Sequence, residues 1–265
     1  MSAPLLKIEI KLGYKLLLLF MGILTLYASI ITAMYDPQLG AGINALAESM
    51  PEFFAVFGMQ NPGVTLLDFL INYLYGFILI LIPLIYGIIM CHRLAARYVD
   101  RGSMAYLLNS HYSRGQILGT QIFVLLSGLL ILVAYGVVLL LLCSHFLFPG
   151  ELAVPEFLVL NLGLLSLEIF LVSFCFLFAS LFNEIKYSIG LGAGLSALFF
   201  LIQMLSQVSE DARFLKYFTP LTLFSPEQLI QYEAPALLRV ILLLALAAIF
   251  FTAAWAGFKK RDLPL

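Results

Sequence analysis

The chain has 265 residues, 63% of them hydrophobic and 11% charged, where an ordinary soluble domain carries roughly 25% charged residues. Its formal net charge of −1 leaves no basic excess to hold nucleic acid, which excludes that class of partner. The composition is that of an all-α integral membrane protein, and residues 1–265 read as one transmembrane domain with the lipid bilayer as its solvent.

The opening, MSAPLLKIEIKLGYK, is too polar, and too long before its first apolar run, for a secretory leader. Lys7, Lys11 and Lys15 fall on one helical stripe, with Leu5, Ile8 and Leu12 on another. That pattern predicts an N-terminal interfacial helix, because a lone strand beside lipid would leave its backbone groups unpaired. A helix needs about 20 mostly apolar residues to cross the hydrocarbon core, and the first such stretch is about 16–35.

The loop that follows, about 36–65, carries Asp36, Glu48 and Glu52 and no basic residue. Within it, INALAESMPEFFAVFGM predicts a helix, a break at Pro51 and a second short helix bearing Phe53, Phe54 and Phe57. Such a segment would lie along the membrane surface or fold back into it. The second span covers about 66–90 and the third about 117–142, with Asn72 and Gln121 near their ends as helix–helix hydrogen-bonding residues. Between these spans lies RYVDRGSMAYLLNSHYSRGQ, a concentration of charged, hydroxyl and imidazole groups between two apolar runs.

The fourth span, about 156–181, holds Glu168 near its middle. A charge there costs roughly 2.5–3.5 kcal/mol on insertion scales, so Glu168 must face the bundle or a wet cavity, or keep its proton. It is the candidate substrate-path residue, and Asn161, Ser166 and Gln203 are the candidate partners if it is only a hydrogen-bonded packing residue. The fifth span, about 188–207, contains GLGAG. No strand precedes these glycines, so a dinucleotide loop is excluded and Gly190 and Gly194 read as a G-x-x-x-G packing motif, within the subunit or across a dimer. SEDARFLKYFTPLTLFSPEQLIQYEAP then predicts short helices over the bundle end before the sixth span, about 235–257.

Of the 14 Lys and Arg residues, eleven fall on one side of this topology: the N-terminal three, Arg93, Arg97, Arg101, Arg114, Lys186, Lys259, Lys260 and Arg261. Only Arg213, Lys216 and Arg239 fall on the other. The positive-inside rule then places both termini and the polar segment 97–116 in the cytoplasm. Cys91, Cys143 and Cys175 are widely spaced and read as packing residues; His92 with His111, and Cys143 with His145, lack metal-ligand spacing. No G-x-x-x-x-G-K-[ST] occurs, so this chain cannot cradle and hydrolyse ATP by that route. No cluster with catalytic spacing points to an enzyme.

The order of these features resembles the ABC-2 family of exporter permeases. Members often carry a Pro-Glu helix in the first outer loop, as in MPEFFAVFG, and a cytoplasmic run of the form acidic, Gly-Thr, Leu-Leu, Ser, Pro-x-Ser-Arg. Asp100, Gly102-Ser103, Leu107-Leu108, Ser110 and Ser113-Arg114 stand at those positions, while His111-Tyr112 replaces the proline-containing dipeptide and Asn109 is inserted. TPLTLFSP matches an outer element of the family, so the resemblance spans the chain. It implies a bacterial plasma-membrane exporter, with the polar run as a coupling helix docked on a separate ATP-binding subunit. Gly102 would set that helix; Met104, Leu107 and Leu108 would anchor it; Arg97, Arg101 and Arg114 would line its rim, with Ser113 at its end. ATP and Mg would be bound by two copies of that partner, not by this chain, and a second copy or a related permease would complete the path. A hydrophobic or cationic peptide, such as an amphipathic or antimicrobial one, is the first substrate expectation, with lipids and other lipophilic compounds behind it. Two other classes remain open at this point: a non-transporting membrane interaction or immunity protein, and a proton-coupled carrier built on Glu168.

Overall fold

In a computed structural model of the chain, the structure describes residues 3–36, 49–50, 65–96, 113–182, 184–208 and 212–260. These residues are overwhelmingly helical and include no strand. The helices are α1 (Ala3–Ala33), α2 (Leu66–Leu70, continued as a π-helical turn over Ile71–Tyr75), α3 (Ile78–Cys91, continued likewise over His92–Ala96), α4 (Arg114–Leu147), α5 (Val154–Leu181), α6 (Ile185–Val208), α7 (Pro226–Ile230) and α8 (Ala234–Lys260). Six segments are long and apolar enough to cross a membrane: Pro4–Ala33, Ile78–Ala95, Arg114–Leu147, Val154–Leu181, Lys186–Gln207 and Ala234–Lys259. The chain is a multi-pass membrane protein by that measure.

α5 is the hub. Its sequence is apolar on every side, which suits a helix surrounded by others, and 67% of its span is buried against 17–56% for the other five. It packs against α8, α6, α3, α7 and α4. Toward α8 the contact is aromatic: Phe170 and Phe174 meet Phe250, and Phe176 meets Phe251, with ring centroids 5.6–6.0 Å apart. α1 lies against α4, where Thr25 Oγ1 and the Tyr135 hydroxyl share a 2.6 Å hydrogen bond.

Two expectations change shape. The segment predicted as a separate interfacial helix is helical, but it continues without a break into the first span as α1. Its buried stripe runs through Leu5, Glu9, Gly13, Leu16, Phe20 and Leu24, whereas Ile8 and Leu12 are exposed. Packing against Met90 at Gly13, rather than an amphipathic surface pattern, fixes the orientation of this stretch. The second span is not one helix: the chain turns at Gly76–Phe77, where Phe77 has φ −143° and ψ −61°. The Gly76 amide reaches back five residues to the Ile71 carbonyl, the π-helical pattern, and α3 restarts beyond it with a buried proline at position 83.

The loop between α6 and α8 forms short helices, as expected: 3₁₀ turns at Arg213–Phe218 and Pro220–Leu223, then α7. Thr219 ties it down by donating from its hydroxyl to the Phe199 carbonyl (3.0 Å). Arg239 of α8 holds it from the other side, donating to Ser225 Oγ and Gln228 Oε1 at 2.8 Å each. The Pro51 break with Phe53, Phe54 and Phe57 lies outside the described residues.

Candidate functional site

Most of the predicted coupling segment, including Arg97, Arg101, Gly102, Met104, Leu107 and Leu108, lies outside the described residues, as do His111 and Arg261. The two ends that enter and leave it are described. Ser113 is the N-cap of α4 in a reciprocal capping box: Gln116 N–H donates to Ser113 Oγ (3.3 Å) and Ser113 N–H to Gln116 Oε1 (3.0 Å). Arg114 begins α4 with its positive charge at the positive end of the helix dipole. It is directed instead at α8, donating from Nη1 to the Lys259 carbonyl (3.3 Å) near that helix's C-terminal end. Gly115 and Gly119 leave room for the Trp255 ring, and Lys259 Nζ stands 5.4 Å from the centroid of the same ring.

At the other end, the π-helical turn His92–Ala96 leads into the segment. Gln121 of α4, fully buried, donates from Nε2 to the Leu94 carbonyl in that turn. Arg93 reaches α1 through the Leu12 carbonyl (3.4 Å). The described residues on either side of 97–112 are both fixed to the bundle: Ser113–Arg114 through α4 and α8, and Arg93–Leu94 through α4 and α1. Gln121 is the cross-helix tie that its sequence position predicts; Asn72 bonds within its own helix, to the Asp68 carbonyl at 2.9 Å.

The second constellation lies at mid-depth. Asn161, Glu168 and Cys175 are seven residues apart on α5, so they drift only about 20° per step and form one stripe. All three are buried, Glu168 completely at 0% exposure. Neither Glu168 oxygen has a hydrogen-bond partner among the described residues. The three candidate partners do not supply one: Asn161 donates to Phe157 O (2.8 Å) and Ser166 to Gly163 O (2.7 Å), both within α5, and Gln203 Oε1 has no partner among the described residues.

Neighbouring helices close on α5 one and two turns along from that carboxyl. From α3, Gly87 sits so near Val172 that a Cβ on it would fall 2.3 Å from Val172 Cγ2, and the Cys91 thiol donates to the Val172 carbonyl (3.6 Å). From α6, Gly192 approaches the Cys175 backbone, the Cys175 thiol donates to Gly192 O (3.4 Å), and Ser196 Oγ lies 3.3 Å from the same sulfur. Tyr75 stands beside Asn161 one heptad away. Sequence pattern ranks Gly190 and Gly194 as packing glycines, within the subunit or across a dimer; within this subunit a Cβ on either would meet nothing within 4 Å among the described residues. The glycine that faces α5 is Gly192, on the opposite side of α6 from that pair. Its signal in the sequence, a small residue between the two G-x-x-x-G positions, is real but indistinguishable from them without the partner helix.

Past the end of α1, two carboxylates, Glu151 and Asp68, lie near Tyr35. Tyr35, just past α1, packs at a tilt against Phe69 and edge-on against Phe148, with centroids 5.4 and 5.0 Å away. Burial holds its phenol above the usual tyrosine range, and the carboxylates of Glu151 and Asp68 push it further up. Cys143 lies 3.9 Å from Ser29 Oγ, and His145 rests against Phe146. Among the described residues no group of three or more His, Cys, Asp or Glu side chains is placed to hold a metal. No protein-family model matches this sequence, and no curated protein matches it.

Proposed function

We propose that the chain is the transmembrane permease subunit of an ATP-driven exporter of the ABC-2 type, moved by a separate ATP-binding subunit. The observation that carries this reading is how the described residues on either side of the polar run 97–112 are held. The turn before it is bonded to Gln121 of α4, and the residues after it form a capped helix start bonded to α8. A push on such a segment is delivered to α3, α4 and α8 together, which is what transmission from an external ATPase requires. Met104, Leu107 and Leu108 are the anchors, with Arg97, Arg101 and Arg114 as the rim charges that steer docking.

ATP and Mg belong to the two partner ATPase subunits in this reading, and a second permease completes the transport path in a bacterial plasma membrane. The carboxylates of Asp68 and Glu151 beside Tyr35 support a cationic or amphipathic peptide as cargo released on that side. The test is co-purification. The tagged chain, extracted gently from its native membrane, carries a Walker-motif ATPase that is lost when Leu107 and Leu108 are both changed to Asp, while membrane insertion persists. If no ATPase accompanies the unmodified chain under several mild extraction conditions, the reading fails.

A further inference from the structure

Glu168 is the candidate substrate-path residue of the exporter reading, and its surroundings point to a further property that does not depend on that role. It lies midway along Val154–Leu181, is 0% exposed, and meets no donor among the described residues. An ionised carboxylate in such a place has neither water nor a counter-charge, a state several kcal/mol uphill that proteins avoid by keeping the proton. We propose that Glu168 is a proton-binding site at the centre of the bundle, and that release of its proton loosens the packing of α3 and α6 on α5. This inference stands independently of the exporter reading.

The groups around the carboxyl leave it no other occupant. On the helices packed against α5, Cys91 and Tyr86 of α3, with His92 just beyond in its π-helical turn, are the titratable side chains nearest its depth, joined by Cys175 two turns along α5 itself. Tyr75 stands one heptad away beside Asn161. The described cations on those helices, among them Arg114, Lys186, Arg239 and Lys259, sit at or near helix ends. None is placed as a counter-ion at mid-span, and no described cluster of ligands could hold a metal there. A proton is the one ligand that satisfies a lone carboxyl in this setting.

The coupling to packing follows from what flanks it. Val172, one turn along α5, is where Gly87 and Cys91 of α3 meet it, and Cys175, two turns along, is where Gly192 of α6 does. Hydrating an ionised Glu168 means separating one of these contacts. α3 is the helix built to yield: its path is interrupted at Gly76–Phe77, and Pro83 removes the amide that would meet the Leu79 carbonyl. The two thiols are internal reporters, because each is buried at one of those contacts.

The experiment uses the full chain in lipid nanodiscs with Cys143→Ser, leaving Cys91 and Cys175 as the only thiols. Infrared difference spectra between Glu168 and Glu168→Gln at neutral pH report a protonated carboxyl stretch belonging to Glu168. Modification by a small thiol reagent is then followed as pH rises, with the Gln variant correcting for thiol ionisation. The ratio of the Glu to the Gln labelling rate should climb about tenfold per pH unit over the transition, as linkage to one proton requires. Glutamine mimics the neutral acid, so that variant stays closed throughout; if it fails to fold, Glu168→Asp must retain a titrating carboxyl band. A carboxylate signature from Glu168 at neutral pH, or a labelling ratio that stays flat with pH, overturns the proposal.

Discussion

Gly192 offers the sharpest test of how the bundle is assembled. A methyl group added there would lie 3.2 Å from Cys175 Cα and 3.3 Å from Cys175 O, both backbone atoms that no rotamer change can move. Ordinary carbon contacts need about 3.5–4.0 Å, so α5 and α6 must part by a few tenths of an ångström along that contact. Overpacking of this kind costs about 1–3 kcal/mol, and the gain from replacing a helical glycine by alanine returns about 1 kcal/mol. Gly192→Ala should therefore be neutral to about 2 kcal/mol destabilising, and Gly192→Leu worse than about 3 kcal/mol, since its branched end has no space at all. At Gly190 and Gly194, with nothing within 4 Å of the added atom among the described residues, alanine should stabilise the monomer by about 1 kcal/mol. The assay is unfolding in detergent micelles, read by the reactivity of the Cys175 thiol, which becomes accessible only when α5 and α6 separate. If Gly190→Leu opens that thiol as readily as Gly192→Leu, the assigned facing of α6 is wrong.

Two further changes probe the ties between helices. Gln121→Leu removes the donor to the buried Leu94 carbonyl, which should cost about 1–3 kcal/mol in stability, seen as a lower thermal midpoint; in the exporter reading it also weakens stimulation of the partner ATPase without abolishing its binding. At Gly128 a Cβ would fall 2.1 Å from the Tyr86 hydroxyl oxygen, so Gly128→Ala should cost about 1–3 kcal/mol. Tyr86→Phe should recover part of that loss when combined with it, and strictly additive losses in the double variant would show that the two side chains do not meet.

Much of this architecture is legible in the sequence because lipid imposes a simple rule: a continuous apolar stretch of about 20 residues is a span. Each of the six predicted stretches overlaps one of the long apolar helices, and the burial of Glu168 follows from the cost of placing its charge in hydrocarbon. What the sequence hides is rotation and continuity. α5 and α6 are apolar on all sides, so no polar face marks which residues turn inward, and Gly192 cannot be told from Gly190 or Gly194 until α5 is beside it. The turn at Gly76–Phe77 is equally silent, because Gly76 in an apolar run is also compatible with an unbroken transmembrane helix. Ser113 shows the opposite case: Ser followed three residues later by Gln, ahead of an apolar run, is a capping signature, and it is where α4 begins. The same two residues, Ser113-Arg114, are the Ser-Arg pair of the resemblance.

The central claim is that residues 97–112 are where another protein drives this one. The most direct measurement places a photo-crosslinking side chain at Leu107, and separately at Leu108, in the intact chain in its native membrane, and identifies what each captures. The account predicts a covalent adduct with a protein that carries a Walker motif, lost when Arg101 is changed to Glu. Capture of lipid alone from both positions would contradict it.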